Sequence, residues 1–300
     1  MPTPTEWGAK FVTWGSPPGK TEQDKCENAV RAVGNAIDAS SSLAARRIRV
    51  FAQGSYRNRT NVRAESDVDI CVYCPDPFFY DLPIGATPAQ FNVTTPAPYT
   101  FEQYRADVGA ALVAHFGAQA VTSGKKAFDI HQNTYRIAAD AVPVMEYRRF
   151  QFGAPPVLGA AFLCDGRLVI NYPDQHYANG VSKNTGTGRR FKAVTRILKR
   201  LRYEMLATYA HPSAMGVQSY ELESLVWNVP SALFAVSPDL RGDVQAIVIH
   251  AWDQLETDAK CAAWTEVNGI KPLFGAGQPW SREDARTFLY DAWNYAELGA

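Results

Sequence analysis

The segment GSYRNRTNVRAESDVDI, residues 54–70, constrains the fold more than any other part of the sequence. Alternation in DVDICVYC predicts a strand that begins near Asp67, and Gly54 ends the preceding strand, RIRVFAQG. Side chains two positions apart in a strand point to the same face, so Asp67 and Asp69 share one face of the predicted strand. Two neighbouring carboxylates repel each other unless a cation lies between them.

Two interpretations of this acidic pair are open. Oxygen ligands of this kind favour Mg²⁺ or Mn²⁺, whereas an isolated Asp-X-Asp pair is also typical of an edge strand facing solvent or nearby arginines, here Arg57, Arg59 and Arg63. The preceding turn favours the metal, because Gly54 lets the backbone approach a ligand closely and Ser55 can hold phosphate oxygens. A phosphate-binding turn beside metal-binding carboxylates indicates nucleotide chemistry.

Charge and composition exclude several classes of protein. Lys and Arg together number 30 and Asp and Glu together number 30, so no overall field attracts nucleic acid or an acidic membrane. No apolar run approaches the ~20 residues that span a bilayer, and the N-terminus lacks a signal-peptide pattern. We therefore expect a cytoplasmic protein with no membrane partner. The 5 cysteines have no two-pair metal spacing, which predicts free thiols.

The order of predicted elements indicates an α+β chain. A helix over residues 22–44 is followed by five or six strands, including a hairpin that turns at Asp165–Gly166. Residues 75–100 are interrupted by prolines yet rich in aromatic residues, which predicts an ordered loop. Helices dominate the remainder of the chain. We predict a catalytic core over residues 1–180 and a helical domain over 181–300.

The pair Gly54–Ser55 followed by ESDVDI resembles the signature of polymerase-β-like nucleotidyltransferases. The resemblance implies a mixed sheet with flanking helices and a third aspartate from a neighbouring strand. Asp140 in YRIAADAVPVMEY fits that position, and Asp129 in KKAFDIH is the alternative. It further implies that two Mg²⁺ or Mn²⁺ ions are held by Asp67, Asp69 and Asp140.

Within this superfamily the chain is most similar to the cGAS/DncV-like nucleotidyltransferases. The similarity covers roughly residues 45–230 and rests on Tyr56 after the Gly-Ser turn, on AVPVMEYRR, on KNTGTGRRFKAVTRILKRLR and on QSYELESLVWNVP. It implies that the helical domain closes the nucleotide cleft, that Ser219 contacts the phosphates and that Tyr220 stacks on the base. Taken alone, Ser-Tyr at a helix start predicts an N-cap and a core aromatic.

The helix predicted within TGTGRRFKAVTRILKRLRYEML carries seven basic residues between Arg189 and Arg202. Its apolar residues form one stripe, and Arg189, Lys192, Arg196 and Lys199 lie roughly opposite. Taken alone, this arrangement predicts a solvated cationic face. The family resemblance instead implies that Lys199 contacts the triphosphate, with Arg196 beside it.

The resemblance implies an enzyme that joins nucleoside triphosphates such as ATP and GTP into a cyclic di- or oligonucleotide and releases pyrophosphate. Such products are second messengers of bacterial anti-phage (CBASS) signalling and act on a separate effector protein, with room for regulatory protein partners. The alternative is a transferase that makes a linear oligonucleotide or modifies an RNA or protein acceptor. A non-catalytic nucleic-acid-binding module is disfavoured, because carboxylates without a metal repel phosphate. Nothing matches the zinc insertion of the eukaryotic cyclic GMP-AMP synthase, so direct activation by DNA is not expected.

Overall fold

The computed structural model describes residues 2–62, 67–208 and 211–299. Contacts within the chain group it into two compact units, which we call the helical unit and the sheet unit. The helical unit comprises Met1–Pro18, Asn58–Val62 and Asp174–Ala300, and the sheet unit comprises Gly19–Arg57 and Arg63–Pro173. The division into functional domains at residue 180 stays a prediction. The compact units differ from it because residues 2–18 and 58–62 pack with the C-terminal helices.

The sheet unit contains one mixed sheet of seven described strands. They are β1 (Arg49–Ala52), β2 (Val68–Asp81), β3 (Val121–Ser123), β4 (Phe128–Ile130), β5 (Ala139–Gln151), β6 (Ala154–Cys164) and β7 (Arg167–Asn171). The order is β1-β2-β5-β4-β3, with β6 paired to β5 and β7. Strands β2 and β5 run parallel and the other described pairs are antiparallel. The predicted hairpin at Asp165–Gly166 is confirmed by the β6–β7 pair.

Strand β2 is longer than the sequence predicts. It continues through a proline-containing irregularity, where its register with β5 shifts between Cys74 and Phe78, and ends at Asp81. A proline removes one ladder hydrogen bond, and an irregularity in the pairing tolerates that loss. The predicted loop over residues 75–100 is therefore wrong for its first seven residues. β2 is also paired on both sides, so the edge-strand interpretation of the acidic pair is wrong.

Two helices cover the sheet unit and share its core. α2 (Lys20–Asp38) packs against α4 (Phe101–Phe116). Thr100 caps α4 and forms a reciprocal capping box with Gln103. The inward-facing residues of β2 are fully buried beneath these helices, and the cysteines of the chain are all free.

The remaining helices belong wholly or mainly to the helical unit, apart from α3 (Gly54–Asn58), in which the chain passes from the sheet unit to the helical unit. They are α1 (Pro4–Gly15), α5 (Pro173–Gly186), α6 (Arg190–Ala207), α7 (Ser213–Gly216), α8 (Ser219–Asn228), α9 (Leu240–Gln254), α10 (Asp258–Cys261) and α11 (Arg282–Tyr295). None of the helices described here has the length and apolarity needed to cross a membrane.

Helix α6 lies at the centre of the helical unit. It packs against α1, α8, α9 and α11, and nearly every residue in its first half is buried. Lys192, Arg196 and Lys199 expose only 9%, 5% and 2% of their surface. The solvated cationic face predicted for this helix is therefore wrong, because neighbouring helices and residues 58–62 cover the side that carries the charges.

Candidate active site

The Gly-Ser turn lies directly against Asp69 of β2. Gly54 has φ +64, a backbone conformation that residues with a side chain rarely adopt. The amide of the preceding Gln53 donates to the Asp69 carbonyl at 2.8 Å. A Cβ on Gly54 would lie within 3.0 Å of Asp69 Oδ2. The glycine therefore provides both the turn and the space for the carboxylate, and Ser55 follows at the start of α3.

Three aspartates form a row across neighbouring strands. Asp69 is the register partner of Asp140 in the parallel β2–β5 pair, and Asp140 is the partner of Asp129 in the antiparallel β5–β4 pair. Register partners on adjacent strands point to the same face of the sheet. Asp140 therefore lies next to Asp69, and Asp129 lies one strand farther away. Asp67 is exposed and immediately precedes β2.

The electrostatics of this row show that its negative charge is not balanced. Burial, followed by the charges of Asp140 and Asp67, raises the pKa of Asp69 to about 6. Burial, followed by Asp67 and Asp129, also raises the pKa of Asp140. Such repulsion is what a bound cation relieves, and a set of carboxylate oxygens fits a hard divalent ion. The site residues are thus chemically suited to Mg²⁺ or Mn²⁺.

The described carboxylates are not arranged as a complete set of metal ligands. Within the described ranges, no group of three or more His, Cys, Asp or Glu side chains is arranged to hold a metal ion. The adjoining pair is Asp69 and Asp140, and Asp67 would complete the set only by approaching them. Of the arginines considered as alternative partners, Arg57 lies over the Phe51 ring at 4.9 Å, and Arg63 lies outside the described residues.

A cleft in the sheet unit opens beside two of the aspartates. Its volume is about 700 Å³, within the range of small-molecule sites, and Asp67 and Asp129 line it. Lys25 of α2 and Arg136 contribute basic groups to the wall. Arg136 is buried and donates to the His131 carbonyl at 2.5 Å, which holds its guanidinium in place. The cleft therefore combines acidic and basic groups at a size suited to a nucleotide.

The two cations predicted at the triphosphate have protein partners in the helical unit. Lys199 Nζ donates to Glu223 Oε2 at 2.7 Å and to Thr60 Oγ1 at 3.2 Å. Arg196 Nη1 donates to the Arg59 carbonyl at 2.6 Å, and its Nε donates to the Gly15 carbonyl at 3.1 Å. Their contact with a triphosphate stays a prediction, and it would require these groups to leave their present partners.

Glu223 is the residue at this centre that sequence reasoning missed. It is buried in α8 and accepts hydrogen bonds from Lys199 and from Thr60 Oγ1 at 2.7 Å, while its Oε1 lies 2.9 Å from His176 Nε2. Burial alone would raise the pKa of Glu223, but Lys199 and His176 outweigh burial and hold that pKa below its ordinary value. An acid between Leu222 and Ser224 in the largely apolar run ELESLVW was the available signal, because a buried acid requires a cationic partner.

Ser219 and Tyr220 also have neighbours within the helical unit. Ser219 is the first residue of α8, whose N-cap is Gln218, so the alternative assignment of Ser219 as the cap is wrong by one residue. The Tyr220 hydroxyl donates to Glu266 at 3.1 Å, and its ring lies against His176. Phosphate contact by Ser219 and base stacking by Tyr220 stay predictions.

Several known proteins resemble this chain in sequence. Residues 178–297 match the model of the cGAS/DncV-like nucleotidyltransferase C-terminal helical domain. The chain is 37% identical over 290 residues to the cyclic dipyrimidine nucleotide synthase CdnE of Cecembia lonarensis, covering 96% of this chain and 98% of the relative. It is 39% identical over 298 residues to the enzyme of the same name from Legionella pneumophila, covering 97% and 98%.

A solved structure agrees with these sequence relatives. The Rhodothermus marinus CdnE c-UMP-AMP synthase with Apcpp and Upnpp matches with a TM-score of 0.84 at 27% identity, covering 98% of this chain and 97% of that one. The predicted α+β fold, a mixed sheet with flanking helices followed by a helical part, is confirmed. The chain belongs to the cGAS/DncV-like nucleotidyltransferase family and is a nucleotidyltransferase.

Proposed function

We propose that this nucleotidyltransferase joins nucleoside triphosphates into a cyclic di- or oligonucleotide and releases pyrophosphate. The observation that carries the proposal is the placement of Gly54 against Asp69, with Asp140 in register beside that carboxylate. The two curated relatives, both named cyclic dipyrimidine nucleotide synthases, support cyclisation as the outcome.

Asp67, Asp69 and Asp140 are the residues that would hold Mg²⁺ or Mn²⁺, two ions in all. Bound at such carboxylates, divalent ions lower the pKa of an attacking ribose hydroxyl and neutralise the departing pyrophosphate. The chain's own contribution is to bury Asp69 and, through the missing side chain at Gly54, to leave room for the Asp69 carboxylate. Ser55, next in the turn, would donate its hydroxyl to a phosphate oxygen.

The cleft beside Asp67 and Asp129 is the part of the sheet unit that would receive a nucleotide. Lys25 and Arg136 on its wall would attract phosphate groups, which the nearby aspartates alone would repel. Because both curated relatives are named for dipyrimidine products, UTP and CTP are the triphosphates to test first, with ATP and GTP beside them.

The product would act as a second messenger for a separate effector protein in anti-phage defence. A linear oligonucleotide, or a nucleotide attached to an RNA or protein acceptor, is the alternative product. The two differ chemically at their ends, because a linear chain keeps a terminal phosphate that phosphatase removes and a cyclic product has none.

The test is incubation of the full chain with all four labelled triphosphates and either Mg²⁺ or Mn²⁺, followed by phosphatase and mass spectrometry. We expect pyrophosphate release and a phosphatase-resistant cyclic product, both absent from Asp69→Asn. A phosphatase-sensitive product would favour the linear alternative. Failure to release pyrophosphate with any triphosphate and either metal would overturn the proposal.

A further inference from the structure

The segment Asn58–Val62 connects the two parts of the candidate active site in sequence but packs in the helical unit. It follows the turn that carries Ser55 and precedes the strand entrance at Asp67. Asn58 and Thr60 expose only 2% and 0% of their surface. Buried polar groups require hydrogen-bond partners, and the helical unit supplies partners for several polar groups of this segment.

Thr60 makes the central contacts between this segment and the rest of the helical unit. Its hydroxyl donates to Glu223 Oε2 at 2.7 Å and accepts from Lys199 Nζ at 3.2 Å, so it lies between the members of a buried ion pair whose own separation is 2.7 Å. Hydrogen bonds to charged groups are stronger and more directional than those between neutral groups. The position of Thr60 is therefore specified by two charged side chains from two helices.

The neighbouring residues of the segment are held in the same way. Arg196 Nη1 donates to the Arg59 carbonyl at 2.6 Å, and Asn58 Nδ2 lies 3.4 Å from His176 Nδ1. His176 reaches Glu223 with its other ring nitrogen, so it connects Asn58 to the same carboxylate. We use the name segment clamp for Lys199, Glu223, His176 and Arg196 together.

The segment clamp is an unusual way to stabilise a short connection. A buried ion pair contributes little to net stability compared with apolar residues of the same size, and its best-attested role is to specify register. Register matters at this place, because the segment continues directly from α3, the helix that contains Ser55. A shift of Asn58 and Thr60 would displace the end of that helix.

We propose that the segment clamp is a positioning device for nucleotidyl transfer, which acts through Thr60 to hold the end of α3 and thereby Ser55 in its reactive arrangement. This inference rests on the proposed function. It gives Lys199 and Arg196 a role that needs no contact with the substrate. Glu223 and Thr60 are then positioning residues, since neither has to touch the reacting atoms.

Thr60→Val is the variant that tests this role. It keeps the shape of the side chain and both members of the Lys199–Glu223 pair but removes the hydroxyl that links them to the segment. Thr195→Val is the matched control, because Thr195 is equally buried and its hydroxyl donates at 2.9 Å to the Phe191 carbonyl within the same helix. Thr60→Ser, which keeps the hydroxyl, tests for rescue.

We expect Thr60→Val to lower kcat by about 10- to 100-fold with KM for the triphosphates within about twofold, as a misplaced reacting group does. Amide hydrogen exchange over residues 54–62 should accelerate in the same variant. Thr195→Val should show neither effect, and Thr60→Ser should recover most of kcat. A purely structural role would lower the melting temperature and the active fraction without changing kcat per folded molecule.

Two results would overturn the inference by itself: wild-type kcat in folded Thr60→Val, or the same loss of kcat in Thr195→Val. A wild-type protein that releases no pyrophosphate from any triphosphate would instead overturn the proposed function and the inference with it. If Thr60→Val fails to fold, Thr60→Ser decides the matter, because a folded serine variant with kcat as low as an Asp69→Asn enzyme would also contradict positioning by the hydroxyl.

Discussion

The carboxylate of Asp69 occupies the space that a side chain at Gly54 would need, so a larger residue at position 54 would have to displace it. A Cβ would come within 3.0 Å of Asp69 Oδ2, and the backbone at Gly54 already has φ +64. The turn and the strand are thus fitted to each other by sterics as well as by the hydrogen bond from Gln53 to the Asp69 carbonyl. This contact explains why the Gly-Ser turn and the acidic strand occur together in one motif.

Replacing Gly54 tests that contact. We expect Gly54→Ala to abolish pyrophosphate release, because the methyl group displaces the Asp69 carboxylate, and to destabilise the fold by about 1 to 2 kcal/mol through the left-handed backbone. Gly153→Ala is the control, since Gly153 has φ +69 with no atom within 4 Å of its built Cβ. It should show a similar stability loss with full turnover. Turnover retained in Gly54→Ala would contradict the proposed fit.

Removing the Asp69 charge tests the metal site. The raised pKa of Asp69 means that its ionised form is penalised in the fold, so stability falls as pH rises from about 4 to above 6. At pH 8 with EDTA we expect Asp69→Asn to be inactive but more stable than wild type by about 1 to 3 kcal/mol. Adding Mg²⁺ should raise the melting temperature of wild type and of the exposed control Asp38→Asn, and leave Asp69→Asn unchanged.

The choice between Asp140 and Asp129 follows from register. Asp140 adjoins Asp69, whereas Asp129 lies one strand farther away, with 48% of its side chain exposed. Asp140→Asn should abolish nucleotide transfer, and Asp129→Asn should retain most of it, measured as initial rates of pyrophosphate release. The reverse pattern would show that Asp129 is the third catalytic carboxylate.

Breaking the Lys199–Glu223 pair should destabilise the protein. Lys199→Ala leaves Glu223 buried without its cation, which costs about 3 to 5 kcal/mol. Arg200→Ala, the adjoining half-buried cation of α6, should change stability by less than about 1 kcal/mol. The double variant Lys199→Met/Glu223→Gln should recover much of the loss in chemical denaturation. If Lys199→Ala melts like wild type, the ion pair is not formed in solution.

Glu221 gives the protein a second pH dependence, distinct from that of the aspartates. Burial raises the pKa of Glu221 to about 8, and its Oε1 has no hydrogen-bond partner among the described residues. A raised acid pKa stabilises the fold at low pH, and this contribution is lost as pH rises from about 4.5 through 8. Glu221→Gln keeps the capping box of α8 and should flatten the fall in melting temperature between pH 6 and 9. An unchanged slope would contradict the assignment.

Local sequence patterns were sufficient for much of this protein. Asp67 and Asp69 were singled out as candidate site residues by their spacing, because a strand places alternate side chains on one face, and Gly54 was singled out as the turn residue before them. The turn at Asp165–Gly166 was predicted from its turn residues, which act over a few positions. The resemblance to a known family supplied Asp140 as the third carboxylate, and register then placed it beside Asp69.

Tertiary structure decided what no local pattern contains. Strand β2 continues beyond its prolines because β5 pairs with it before and after the irregularity. Local propensity does not identify that partner strand. The periodicity of α6 placed Lys192, Arg196 and Lys199 on one side of the helix and predicted a solvated face, but it did not show that other helices and residues 58–62 cover these three residues or that Lys199 pairs with Glu223. Burial and pairing depend on segments far apart in the chain, and their energies are set only when those segments meet.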